Sequence, residues 1–358
     1  MTATLPLSTW RTAGPAELPE DMDALVFSAP GVVSPTVVAV PAPTPGRALV
    51  EVAYVGICGT DTHLLSGNSP YVQSGLTEYP IRFGHEYSGT VVAVADDSDS
   101  ELLGARVAGD AIVGCGHCLT CKSGHYNLCP MRDEIGVKGD FPGAASQYFS
   151  VPVTNIHRVP DSVSLAHAVI AEPSVTVLNA LTAGDLRIGS RVAVIGTGTL
   201  GLVAARLAVH AGCDVTVIGV EEPGLAAAVE LGATAAVRPE AAPDDCADLV
   251  LEMSGARSIG PLLTRIAATG AHIVQVGIAS GPVDELSTSD FIAKGLRLSG
   301  VLGGVHLLPT ALRLIATGHI RPDSLIGDVI DYRDPRTAFA KLAEPNRRKP
   351  KVLLRFTG

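Results

Sequence analysis

Four cysteines, Cys115, Cys118, Cys121 and Cys129, stand in the spacing C-x2-C-x2-C-x7-C within the lobe 114–130. Four thiolates from one short loop can close a tetrahedron around Zn²⁺ with no open position, as a structural site requires. The competing reading is a set of free or redox-active thiols. His117 and His125 share the lobe but are surplus once four sulfurs bind. A second donor set is dispersed: Cys58 in Gly56-Ile-Cys-Gly-Thr-Asp-Thr-His63, the pair His85-Glu86 after Gly84, and Glu172 in Ala171-Glu-Pro. One thiolate, one imidazole and a carboxylate, with room for water, make a catalytic zinc set. Glu172 is the only formal charge between Leu165 and Leu181. In so apolar a run a carboxylate must find a cation or a hydrogen-bond donor, or else cap the following helix.

A third signal is Gly196-Thr-Gly198-Thr199-Leu200-Gly201, which follows the apolar Val192-Ala-Val-Ile and precedes a helical Leu-Val-Ala-Ala-Arg-Leu-Ala. In that strand-loop-helix setting the glycines permit a tight turn, close approach of a pyrophosphate and close packing of helix on strand. The first amides of the helix would hold the phosphates. The acidic residue that would bind the ribose has two candidate positions. Aligning from the helix places Gly219 at the tip of the second strand; aligning from the strand places Glu221 there. No Lys or Arg lies between Arg206 and Arg238, whereas Glu221 and Glu222 stand at the strand end. A 2′-phosphate would meet carboxylates there, which favours NAD over NADP.

These residues need a scaffold of two domains, which 358 residues can supply. From Ala24 to about Ser150, short apolar strands broken by glycines (Ala48 to Val55, Gly89 to Ala95, Arg106 to Val113, Ala145 to Val151) read as an irregular β domain. After Thr182, strands at Arg191 to Ile195, Val215 to Val220, Asp248 to Met253, His272 to Val276 and Arg297 to Leu302 alternate with Ala-rich helical stretches such as Leu200 to His210 and Leu225 to Leu231. That rhythm predicts a doubly wound parallel sheet. A helix near Leu307 to Ala316 and a strand at Lys351 to Phe356 close the chain, and the first twenty or so residues read as a loosely held extension. The acidic surplus is 36 − 26 = 10, with only Lys122 near the cysteine lobe. Partners that reward clustered Lys and Arg, nucleic acid and anionic membrane, are therefore not expected. Seven cysteines are too few for a disulfide scaffold at this length, so the reading is a cytoplasmic, reducing setting.

Together these motifs resemble the zinc-containing medium-chain alcohol dehydrogenases, within them the polyol (sorbitol-type) and threonine dehydrogenase branch. The resemblance covers the chain from about Ala24 onward. It implies an α/β chain with a GroES-like irregular β catalytic domain (1–178 and 304–358) interrupted by a Rossmann domain (179–303), with the active site between them. Cys58, His85 and Glu86 then match zinc ligands, and Glu172 the acid that binds zinc directly or through its water. Thr60 matches the hydroxyl that takes the alcohol proton, His63 the end of the relay to solvent, and Asp61 the carboxylate that orients the zinc-bound His85. Gly59 replaces an Arg that ethanol-oxidising members use on pyrophosphate, and Gly104-Ala105-Arg106-Val107 lacks the family's turn Asp.

The implied activity is hydride transfer between a secondary alcohol and a nicotinamide, with zinc as Lewis acid and two zinc ions per chain. A sugar, polyol, aminocyclitol or hydroxy amino acid would each fit as the small-molecule substrate. The segments Leu64 to Phe83 and Ile135 to Gly143 either overhang the zinc, with Asn68, Tyr71 and Lys138 as polar candidates, or are ordinary surface loops. The resemblance also implies a homodimer or homotetramer, with the apolar strand Leu296 to Gly303 as the pairing edge. The alternative from another class is a zinc-stabilised dinucleotide sensor or interaction module without catalysis. Keeping Cys58, Thr60, His63, His85 and Glu86 together argues against it.

Overall fold

The computed structural model describes residues 11–12, 18–42, 44–279 and 281–357. Two sheets organise them. The first runs in the order Ile156–Arg158, Arg106–Gly109, Glu86–Val94, Arg47–Ile57, Lys351–Arg355, Ile326–Asp331, and Tyr148–Pro152 pairs on Arg47–Ile57. Its central strand Arg47–Ile57 carries an almost unbroken apolar series because it is covered on both sides, and nearly every residue from Ala48 to Ile57 is buried. The hydrophobic cluster around it gathers Phe27, Phe83, Tyr87 and Phe149, with Phe27 stacked on Phe83 at 4.3 Å between centroids.

The second sheet has six parallel strands in the order Ala235–Val237, Asp214–Ile218, Arg191–Ile195, Ala247–Glu252, Ala267–Gln275, Arg297–Gly300. Numbered along the chain this is 3-2-1-4-5-6, the doubly wound order that opens a crevice where the direction of progress reverses. Alternate side chains fill two separate cores: Val192 and Val194 join one, Ala193 and Ile195 the other. Both faces are therefore buried, as continuous apolar strands require. The apolar run Leu165–Ala183 has the length of a membrane span, but more than half of it is buried, with Val175, Val177 and Ala180 in the core beside the second sheet.

Three differences from the sequence reading have physical causes. Arg106 to Val113 is not one strand: the chain leaves the first sheet after Gly109, and Ile112–Val113 pairs instead with Asp133–Glu134. The chain returns after Gly304 with more than a helix and one strand. Ile326–Asp331 lies parallel to Lys351–Arg355, linked by the helix Pro335–Ala343; Gly327, Asp328 and Asp331 leave that strand without an apolar run. Most of the N-terminal extension lies outside the described residues, but Arg11–Thr12 pairs with Val94 and Ala93.

Candidate active site

One helix start organises the dispersed donor set. Cys58 is the N-cap of the helix Gly59–Ser66, and Asp61, at the third helical position, accepts from the Cys58 N–H at 2.8 Å. Its other oxygen, Oδ1, lies 3.6 Å from His85 Nδ1. Thus one fully buried carboxylate fixes the helix entry and faces the imidazole. Both Asp61 Oδ1 and His85 Nδ1 are buried without a hydrogen bond among the described residues. Burial works to lower the His85 pKa, but Asp61 and Cys58 outweigh it and hold it well above the ordinary imidazole range. Asp61 is therefore placed as the sequence expects, beside the ring of a candidate metal ligand.

Cys58 Sγ, a His85 ring nitrogen and a Glu86 oxygen lie within 4.8 Å of one another. A thiolate, an imidazole whose far nitrogen meets a carboxylate, and a carboxylate are donors that fit zinc. Glu86 is held in a way the sequence does not reveal. Lys351 Nζ donates to both of its oxygens at 2.7 Å and to the Ile57 carbonyl at 3.2 Å, with Lys351 3% and Glu86 0% exposed. Gly56 makes this possible, since a Cβ there would stand 2.2 Å from Glu86 Oε2. Each carboxylate oxygen keeps a lone pair for a cation. Glu172 sits in the first turn of the helix Ala171–Ala183, makes no cap, and lines the same cavity. Burial pushes its carboxyl up to about 8; His85 and Lys351 oppose the shift, while Glu86 and Asp110 add to it.

The cysteine lobe also fits a metal. A tetrahedron with bonds of about 2.3 Å to sulfur has edges of about 3.8 Å. Cys115 and Cys121 sulfurs are 3.9 Å apart, and those of Cys118 and Cys129 are 3.7 Å apart. Backbone N–H groups of Cys118 and Cys121 point at the Cys115 and Cys118 sulfurs at 3.4 Å each. Hydrogen bonds led by the backbone at His117 lower the Cys115 thiol pKa, whereas burial raises that of Cys121 beside it, so the sulfur spacing and not the titration carries the metal reading. His117 and His125 are bonded locally, to the Cys115 carbonyl and to Ser123.

A cavity of about 480 Å³ joins the two sheets' ends. Cys58, Thr60, His63, His85, Glu86 and Glu172 line it together with Gly198, Thr199 and Leu200. Thr60 Oγ1 is 3.9 Å from Cys58 Sγ. The glycines divide their duties. Gly196 has φ 110°, a conformation open to glycine. Gly198 is the N-cap of the helix Thr199–His210 with open space where a Cβ would be, and a Cβ on Gly201 would meet the Gly196 carbonyl at 1.9 Å. Gly198 thus leaves room for a phosphate at a helix N-terminus, and Gly201 lets the helix pack on the loop.

Glu221 is not at the strand tip. The second strand ends at Ile218, Gly219 follows directly, and Glu221 becomes the N-cap of the helix Glu222–Glu230. Thr197 fills the space above Gly219 and Gly224, where added Cβ atoms would meet it at 2.6 and 2.4 Å. The Glu221 carboxylate instead accepts from the Asn346 N–H at 3.4 Å, across to the returning segment. Of the two alignments, the one made from the helix matches this strand end. Among the candidate substrate contacts, Tyr71 lines the cavity. Asn68 is not among its lining residues, and the Lys138 ammonium is engaged by the Arg132 carbonyl. Glu134, Arg347 and Lys351 line it and were missed. Lys351 carried no clear signal, since Arg347, Arg348 and Lys349 precede it in a basic run.

Residues 44–161 match the alcohol dehydrogenase GroES-like domain, and residues 199–317 the zinc-binding dehydrogenase domain. An L-threonine 3-dehydrogenase of Pectobacterium atrosepticum is 31% identical over 266 residues, 71% of this chain and 72% of that protein. An alcohol dehydrogenase from Escherichia coli, solved with NADH, superposes with a TM-score of 0.85 at 28% identity, covering 94% of this chain and all of its own. A zinc-binding dehydrogenase from Sinorhizobium meliloti bound to NADP gives a TM-score of 0.83 at 30% identity, covering 94% and 99%. Two matching domains in order, two thiolate-bearing donor sets, and a glycine loop that shares a cavity with the Cys58 set agree: the chain belongs to the zinc-dependent, NAD(P)-linked medium-chain alcohol dehydrogenases.

Proposed function

We propose that this protein transfers a hydride between a secondary alcohol of polyol, sugar, aminocyclitol or hydroxy amino acid type and NAD. The observation that carries the reading is that Cys58, Thr60 and His63, all from one short segment, line the same cavity as Gly198 to Leu200. Zinc bound by Cys58, His85 and Glu86, with Glu172 beside them, would supply a Lewis acid that lowers the pKa of a hydroxyl. Thr60 Oγ1 is then the atom that receives the hydroxyl proton. Thr60 gives up its own proton in turn through the cofactor's ribose hydroxyls to His63, whose imidazole carries it toward solvent. Asp61 keeps the His85 ring oriented, and Lys351 holds the Glu86 carboxylate in place. The cleft between the sheets positions the reactants, which converts an encounter into a local reaction.

Preference for NAD is supported by the charges near the second strand. Gly219 presents no side chain, Arg238 is paired with Glu222 at 3.0 Å, and Glu221 adds a further carboxylate. A 2′-phosphate there gains no free cation from these residues. Paired calorimetric titrations should show tighter binding of NAD; equal or tighter binding of NADP would overturn this part and implicate Arg347, which lines the cavity. The activity itself is tested by following nicotinamide absorbance with NAD and a panel of polyols and amino alcohols. Turnover lost on chelation supports the reading. Tight binding of NAD with no turnover of any alcohol or ketone would favour the sensor alternative.

A further inference from the structure

The cavity has polar groups besides the candidate zinc ligands. Glu134, Tyr71, Ala111, Ile112 and Val137 line it, so one carboxylate and one phenol stand among apolar groups. Glu134 is 8% exposed. Its Oε1 accepts from the Tyr71 hydroxyl at 3.0 Å and from Arg132 Nε at 3.0 Å. Its Oε2 makes no hydrogen bond to any described residue and is not sealed in the protein. Arg132 is outside the cavity lining, so its guanidinium offsets the charge from behind. An apolar wall would have served a plain alkyl or aryl substrate; here Tyr71 and Arg132 offset the cost of the buried carboxylate at Oε1, and Oε2 is left to accept from a ligand.

Both groups are held in place. The Glu134 N–H donates to the Lys138 carbonyl at 3.0 Å, the Val137 and Lys138 N–H groups return to the Glu134 carbonyl at 2.9 Å, and Glu134 is in register with Ile112. Tyr71 is fixed by the Leu76 and Thr77 N–H groups on its carbonyl. Because the phenol proton is committed to Oε1, both groups offer only lone pairs to a ligand. Such a subsite receives donors. Resting on the dehydrogenase reading, we propose that Glu134 and Tyr71 select the substrate. The alcohol must carry a second hydrogen-bond donor, a hydroxyl or a protonated amine, elsewhere on the same small molecule.

The test compares kcat/KM with NAD for butan-2-ol against butanediols and aminobutanols that carry the extra donor at each other carbon. At least one donor-bearing alcohol should exceed butan-2-ol by about tenfold or more, since a site built to hydrogen-bond a substrate group discriminates against the analogue lacking it. In Glu134→Leu and in Tyr71→Phe that ratio should collapse toward unity. Glu134→Gln keeps an acceptor oxygen without the charge, so it should lose kcat/KM with amino alcohols more than with diols. The Gln and Phe variants preserve shape and carry the test if the Leu variant does not fold. A wild type that turns over butan-2-ol as well as any derivative, or variants with an unchanged ratio, would overturn the proposal alone. A wild type that oxidises no member of the panel would overturn the dehydrogenase reading and the proposal with it.

Discussion

Replacing Lys351 with Met should destabilise the metal-free protein more than almost any other single change to a charged residue. The Nζ gives hydrogen bonds to both Glu86 oxygens and to the Ile57 carbonyl, in a site 3% and 0% exposed on the two partners. Met matches the length of the stem, so the apolar contacts of the strand Lys351–Arg355 with Arg47–Ile57 survive. What remains is a buried carboxylate without its cation. Breaking a buried pair in this way costs about 3–5 kcal/mol. Adding Glu86→Gln removes the orphaned charge, so the double variant should be more stable than Lys351→Met and lose no more than about 2 kcal/mol against wild type. Urea denaturation followed by far-ultraviolet circular dichroism in chelator, with slopes compared to check that the same unfolding is observed, measures both. A single variant within about 1 kcal/mol of wild type, or a double variant that loses the sum of both single changes, would refute the reasoning.

Three further outcomes are expected. Elemental analysis should give two zinc ions per chain and one in Cys58→Ala, while Cys118→Ser should fail to fold, because binding energy at a closed site is folding energy. Two zinc ions still present in Cys58→Ala would remove Cys58 from the ligands. Glu172 binds its proton more tightly folded (about 8) than in its ordinary state (4.5), so in metal-free protein its contribution is present at low pH and is lost as pH rises from about 5 to about 8. Glu172→Gln should flatten that part of the stability profile relative to wild type, and parallel profiles would contradict the shift. Light scattering at micromolar concentration should give a homodimer or homotetramer. Arg297–Gly300 is the edge strand of the parallel sheet with Leu298 46% exposed, a liability that pairing would remove. A monomeric mass would refute it.

Much of the site was legible because its parts are local. The four lobe cysteines, the Cys58 to His63 segment and the Gly196 to Gly201 loop each carry their spacing within one element, and the alternation after Thr182 foretold the parallel sheet. What escaped depends on distant partners. Lys351 meets Glu86 across 265 positions in sequence. Glu134 joins the cavity only because the chain leaves the first sheet after Gly109 and pairs Ile112 with it. Glu221 was ambiguous because a strand's last residue is not written in its composition: Gly219 and Glu221 differ by two positions, and the strand's end at Ile218 decides between them.

Hydride transfer is the central claim, and isotopic labelling tests it most directly. The protein should be incubated with NAD and an alcohol deuterated at the carbinol carbon, chosen from the panel as the best substrate, and the reduced cofactor weighed by mass spectrometry. The account predicts one deuterium on the reduced nicotinamide, abolished by chelation and strongly reduced in Thr60→Val. Reduced cofactor without the label, or none formed from any alcohol in the panel, would contradict it.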